Sequence, residues 1–279
     1  MKAYSLNLRG HLREFTRPAV MGIINVTDDS FWEGSRATSD ADIAARAASL
    51  AAAGAEYIDI GACSTRPGAA AVEASVEAER LTRAISIARA AAPAAIISAD
   101  TYRADVARAA VEAGADIIND VAGGNLDPDM YDTVAELRVP YVLGHMRGTP
   151  ADMQEYTTYE DVTRDVLSEL GDRYQQLALR GVADIIIDPC FGFSKTVGQN
   201  YELLARLDLL GMFHCPVLVG FSRKSMITRP LGVATADALD GTTVLNTLAL
   251  DRGAAILRVH DVAPAIAAVK LYSLLPSTL

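Results

Sequence analysis

The chain has 279 residues, 51% of them hydrophobic, with a formal charge of −10 and a pI near 4.9. This length suits one large α/β domain or two smaller ones, and the apolar share supports a sizeable core and argues against disorder. The acidic balance argues against non-specific nucleic-acid binding and against anionic membrane surfaces, but not against an anionic small substrate met by local cations. Three cysteines, Cys63, Cys190 and Cys215, form no CxxC pattern and read as reduced thiols. The first residues carry charges without an apolar core, so no secretory signal is visible, and no apolar run reaches the roughly 18 residues of a membrane span. A soluble, cytoplasmic protein is expected.

In chain order, residues 1–18 alternate Tyr4, Leu6 and Leu8 with polar groups, which predicts a short hairpin ahead of the main domain. Residues 20–25 (VMGIIN) form the first apolar strand and stop on Asn25. After a loop carrying Asp28, Asp29, Phe31, Trp32 and Glu33, Ser39 and Asp42 make a capping box for a helix with Ile43, Ala47 and Leu50 on one face.

From there the chain repeats itself. A helix ends at glycine, and small residues, an apolar strand and a polar stop follow, at Gly54, Gly114, Gly181 and Gly253. These glycines suit the left-handed position that closes a helix. The intervals are long enough for two strand–helix units each, and the missing strands lie at residues 20–25, 95–100, 139–145 and 216–222. About eight strands alternating with helices predict a single TIM (β/α)8 barrel over 1–279, the hairpin at 1–18 being an extension. A doubly wound open sheet is the alternative.

The strands end on Asn25, Asp59, Asp100, Asn119, His145, Asp188, the run from Ser222 to Ser225, and Arg258 with His260. In a barrel these ends converge on one face, where active sites are built. Asp100, Asn119 and Asp188 suit a flat heterocycle with N–H groups and carbonyls, and Lys224 can donate to a ring atom. Arg258, His260 and the segment Ser64-Thr65-Arg66-Pro67-Gly68 form a cationic, hydroxyl-rich corner suited to phosphate. Asn25 offers a neutral oxygen to a hard cation such as magnesium. No His/Cys cluster points to zinc, and neither Lys195-Thr196 nor Lys224-Ser225 sits in a Walker motif.

The motifs GIINVTDDSF, IDIGACSTRPG, IISAD, IIND, HMRGTP, DPCFGFSK, VGFSRKS and RVHDV, in this order between Met21 and Val262, resemble dihydropteroate synthase. The resemblance implies a TIM barrel, usually a homodimer, that joins para-aminobenzoate to 6-hydroxymethyl-7,8-dihydropterin pyrophosphate and releases pyrophosphate with magnesium, in folate synthesis. It implies that Asp100, Asn119, Asp188 and Lys224 hold the pterin, with Phe193 lining its pocket. Asn25 would ligate magnesium, Thr65, Arg66, Arg258 and His260 would hold the pyrophosphate, and Phe31, Pro67 and Ser225 would form the aminobenzoate pocket. Departures from the family pattern fall at Asp28, Glu33, Ala62, Cys190 and Ser194, and Gly144 stands where a methionine is usual. Three other readings use the same residues: a pterin-binding methyltransferase barrel, a Schiff-base aldolase on Lys224, and a binding-only relative.

Overall fold

The computed structural model describes residues 3–26, 39–63 and 72–276. The expected hairpin is present as β1 (Tyr4–Leu8) and β2 (His11–Phe15), paired antiparallel from Tyr4–Phe15 to Leu8–His11. Eight parallel strands follow: β3 (Ala19–Asn25), β4 (Tyr57–Gly61), β5 (Ile96–Asp100), β6 (Ile117–Asp120), β7 (Tyr141–Gly144), β8 (Ile185–Asp188), β9 (Leu218–Val219) and β10 (Ile256–Val259). The strand order is β8-β7-β6-β5-β4-β3-β10-β9. An isolated parallel bridge between Ile187 and Val217 brings the two ends together, so the sheet is a TIM barrel. The strand expected at 216–222 is regular only at Leu218–Val219, although Pro216 and Val217 already serve the closure.

The helices that cover the barrel are α1 (Asp40–Ala52), α2 (Ala74–Ala91), α3 (Ala104–Ala113), α4 (Met130–Leu137), α5 (Val162–Leu179), α6 (Val197–Ala205), α7 (Ser225–Leu231), α8 (Leu239–Asp251) and α9 (Val262–Tyr272). Helix α1 starts as its sequence dictates: Ser39 Oγ accepts from the Asp42 amide at 3.2 Å, and Asp42 Oδ2 accepts from the Ser39 amide at 3.3 Å. Its buried stripe is Ile43, Ala47 and Leu50. Gly54 and Gly181 take φ of 100° and 82° just past α1 and α5, a region where a Cβ would be strained.

The pleat divides each strand between two cores. One set of residues (among them Ile58, Ile97, Ile118, Leu143, Ile187, Val219 and Leu257) packs outward on the helices. The other set (Met21, Tyr57, Ile96, Ile117, Val142, Ile186, Leu218 and Ile256, one from each strand) fills the barrel interior. Leu6 and Phe15 of the hairpin join this inner cluster. Tyr4 stacks on Phe15 at 4.7 Å and Phe15 on Tyr57 at 5.5 Å, while the Tyr4 and Tyr57 hydroxyls bond at 3.2 Å. The hairpin thus seals the N-terminal end with rings, burying side chains worth about 2 kcal/mol each. Access to the interior is left to the opposite end.

Candidate functional site

Two residues beyond that inner apolar layer, the same pleat sets the next inward layer: Ile23, Asp59, Ser98, Asn119, Gly144, Asp188, Gly220 and Arg258. The layer beyond it contains Asn25, Gly61 and Asp100. The change from apolar to polar inside the barrel therefore follows from strand periodicity alone.

Asp59 is the centre of this layer. Fully buried on β4, it accepts from Ser98 Oγ at 2.6 Å and from Asn119 Nδ2 at 3.2 and 3.1 Å. It also accepts from Arg258 Nε at 2.6 Å, and Arg258 Nη2 donates to Asp100 at 2.7 Å. A carboxylate can only accept, so these bonds fix the sense of the Asn119 amide, nitrogen toward Asp59. Burial works against charge on Arg258, but Asp59 and Asp100 outweigh it and hold its proton more firmly than usual. Burial raises the pKa of Asp100; Arg258 pulls it back, and Asp59, Glu77 and Asp120 push it up again. Burial and the neighbouring carboxylates outweigh the one guanidinium, which accounts for that direction.

Across the mouth, Asp188 ends β8 with Oδ1 accepting from the Cys190 amide at 2.7 Å. Burial raises its pKa, opposed by Lys224, that amide and Arg258. Lys224 Nζ donates to the Phe191 carbonyl at 2.6 Å and lies 4.7 Å from the centre of the Phe193 ring. Burial lowers its pKa to about 8, with Asp188 acting the other way. The ammonium is therefore mostly charged at neutral pH and can donate to a ligand that replaces the carbonyl.

Of the residues expected to form the site, the structure gathers Asp100, Asn119, Asp188, Phe193, Lys224 and Arg258 at the C-terminal end of the barrel. Asn25 ends β3 opposite Gly61, whose own position approaches Asp100. Ser225 opens α7, directly after Lys224. Phe31, Thr65, Arg66 and Pro67 lie outside the described residues.

Two residues have partners or a charge state that the sequence did not show. Arg258 is committed through Nε and Nη2 to carboxylates, so a phosphate meets an already paired guanidinium. His260 lies just past β10, its Nδ1 at 2.8 Å from Ser222 Oγ. Burial first, then Arg258, Arg223 and Arg46, lowers its pKa to about 3, so it is a neutral hydrogen-bonding group and not a cation. Arg223, beside Lys224, is structural: it pairs bidentately with Asp261 at 2.9 and 3.2 Å and donates to the Thr235 and Ala236 carbonyls.

The sequence reading placed Asp59 at its strand's end without giving it a role and passed over Ser98; each lies two residues short of its strand's end. Counting inward positions from the apolar layer would have found both. Gly144 also falls in that inward layer. A Cβ there would lie 2.5 Å from the Asp120 carbonyl oxygen and 2.6 Å from that of Val121. With β6 in this position no larger residue fits, which explains the departure from the usual methionine.

Known proteins carry the same barrel. A dihydropteroate synthase of Yersinia pestis, solved with a sulfonamide drug, superposes with a TM-score of 0.91 at 35% identity, covering 97% of this chain and 98% of that one. A dihydropteroate synthase from Xanthomonas albilineans, solved with 7,8-dihydropteroate, gives 0.85 at 37% identity, covering 98% and 100%. The dihydropteroate synthase of Escherichia coli K12 is 40% identical over 267 residues, 94% of this chain and 93% of that protein. A folate synthesis bifunctional protein of Arabidopsis thaliana is 38% identical over 278 residues; the match covers 94% of this chain and 57% of that longer protein. The profile of the pterin binding enzymes matches residues 21–260, a span that takes in the whole polar layer and all of the barrel strands but the first two residues of β3, and the chain belongs to that family.

Proposed function

We propose that the chain catalyses the dihydropteroate synthase reaction of folate biosynthesis, joining para-aminobenzoate to 6-hydroxymethyl-7,8-dihydropterin pyrophosphate. The observation that carries this reading is the bonded chain Asn119–Asp59–Arg258–Asp100 facing Asp188 and Lys224 across one mouth. It offers a flat heterocycle an amide oxygen, two carboxylates and an ammonium. Asn119, Asp188 and Lys224 hold the pterin, with Phe193 beside it, and Asp100 lies close to the reacting methylene. The bond from that methylene to the ester oxygen of the pyrophosphate breaks and the oxygen leaves with the pyrophosphate, the arylamine nitrogen forms the new bond to the methylene, and the amine proton is released. Buried carboxylates favour positive charge developing on the methylene, and no protein nucleophile is required.

The pyrophosphate is held by Arg258 and His260 together with Thr65 and Arg66. His260 acts here as a neutral donor. Among the described residues no three His, Cys, Asp or Glu side chains cluster to hold a metal. The donor set suits a magnesium ion that arrives with the pyrophosphate and takes one protein oxygen, from Asn25. Bound there, magnesium would neutralise charge on the leaving group. Phe31, Pro67 and Ser225 form the aminobenzoate pocket.

The active form is a homodimer. Val244 and Leu248 on α8, Leu271 on α9, and Leu274 and Leu275 just beyond it are exposed apolar side chains on or beside two helices that pack together, which supports a covering subunit there. The compartment is the cytoplasm, in line with half-buried or buried free thiols.

The test is pyrophosphate release from the purified protein with both substrates and magnesium, with dihydropteroate identified as the product. Release that ignores aminobenzoate, or no turnover in protein that binds the pterin, refutes the reading. The second outcome would mark a binding-only relative.

A further inference from the structure

Behind the pterin side of the mouth lies a second buried polar cluster that the reaction does not use. Lys195 closes the loop that follows β8 and is only 3% exposed. Its Nζ lies 3.0 Å from the Phe193 carbonyl oxygen, 3.3 Å from that of Cys190, 3.4 Å from that of His145, and 3.1 Å from His145 Nδ1. His145 Nε2 in turn lies 3.1 Å from Glu169 Oε2. An ammonium facing Nδ1 makes that nitrogen the acceptor, so the His145 proton sits on Nε2 and is donated to Glu169. Burial and Lys195 drive the His145 pKa down to about 3, which keeps the ring neutral. Arg147 holds the other oxygen of Glu169, and Arg173 lies 3.7 Å from the oxygen that His145 meets.

The loop so held is strained. Cys190, Gly192 and Ser194 take φ of 51°, 86° and 50°, a left-handed region that is costly for the two that are not glycine. Such a backbone persists only where its surroundings determine it. Lys195 gathers two carbonyls of this loop and one of the neighbouring β7 loop, much as a bound cation would, and Ser194 Oγ bridges to the Arg147 backbone on the same side. The loop's outer face carries what the ligand meets: Asp188 at its root, the Phe191 carbonyl that positions Lys224, and the Phe193 ring.

We propose that Lys195, oriented by His145 and Glu169, is a positioning residue: an internal cation that fixes the β8–α6 loop and, through it, sets Asp188, Phe193 and Lys224 for the pterin. The inference rests on the reaction proposed above for its ligand, but its structural core does not.

Two measurements separate the failures. In ligand-free protein, Lys195→Met should speed hydrogen exchange at the amides of residues 190–194 while leaving β3–β5 protected; unchanged exchange there overturns the proposal whatever the protein catalyses. In turnover, Lys195→Met should raise the KM for the pterin pyrophosphate at least about tenfold, with kcat and the aminobenzoate KM little changed. His145→Asn, whose amide oxygen can replace Nδ1 as acceptor, should retain the wild-type KM, and His145→Leu should behave as Lys195→Met. This second pair keeps the test open if Lys195→Met does not fold. Because Lys195 acts through Lys224, the double variant with Lys224→Met should lose less pterin affinity than the two single losses combined. Full additivity, or equal effects of the two His145 variants, overturns the proposal. Wild-type protein without turnover, but with the expected exchange pattern, overturns only the proposed reaction.

Discussion

Asp59→Asn probes the centre of the polar layer with little change of shape. The wild-type carboxylate receives four donated bonds, from Ser98, Arg258 and, twice, Asn119. An amide at that position can accept through only one atom and carries no charge to balance Arg258. Stripping a buried pair of one partner typically costs about 3–5 kcal/mol. Asp100 still faces Arg258 at 2.7 Å, so the loss should fall below that range, near about 2 kcal/mol, the scale of one charge-assisted bond. That corresponds to roughly a thirtyfold fall in kcat/KM for the pterin substrate, together with a melting temperature lower by roughly 4 °C or more. Steady-state pyrophosphate release and thermal unfolding, measured on one preparation, read both effects. If Asp59→Asn kept wild-type kcat/KM and stability, Asp59 would not organise Arg258 and Asn119, and the account of the site would be wrong at its centre.

Asp188→Ala should abolish measurable pterin binding by calorimetry while leaving the circular dichroism spectrum unchanged, since it removes an acceptor at a strand end and no core volume; retained affinity would exclude Asp188 from the site. The pKa values of Lys224 and Lys195 are lowered from 10.5 to about 8, so pterin affinity should fall as pH rises through about 8, and the Lys224→Met profile should lose most of that fall. Folding should respond in the opposite sense: between those two values the unfolded chain binds more protons than the folded one, so these lysines make stability rise with pH, which denaturant titrations can follow. Gly144→Ala should destabilise the protein by about 1–3 kcal/mol, seen as a lower denaturation midpoint, because its Cβ meets two carbonyl oxygens of the neighbouring strand; an unchanged midpoint would mean that β6 yields easily.

Much of the fold is written locally. The runs ending at Asn25, Asp100, Asn119 and Asp188 are strands because β-branched residues precede a polar stop, and Ser39 with Asp42 starts α1 through bonds within four residues. Asp188 and Asn119 were readable as candidate site residues for the same reason, standing at or next to the ends of buried strands; Lys224 followed an apolar run too, but β9 ends at Val219 and Lys224 is the N-cap residue of α7. The strand over 216–222 read longer than its two regular residues because an apolar run shows burial and not the pairing that defines a strand.

Long-range pairing was not readable in this way. Arg258 and Asp59 are 199 positions apart, and they meet only because β10 pairs with β3 and β3 with β4 when the barrel closes. That pairing gives an arginine suited to phosphate two carboxylate partners, met through Nε and Nη2. His260 is uncharged because burial and the cations Arg258, Arg223 and Arg46 act on its pKa, and only Arg258 lies near it in the chain; His145 Nδ1 is an acceptor because the fold brings Lys195, 50 positions away, beside it. The sequence by itself determined which residues form strands and which polar groups end them. Tertiary structure alone decided which of those groups meet and which protons they keep, because a charge in a low-dielectric interior takes its state from whatever the fold brings beside it.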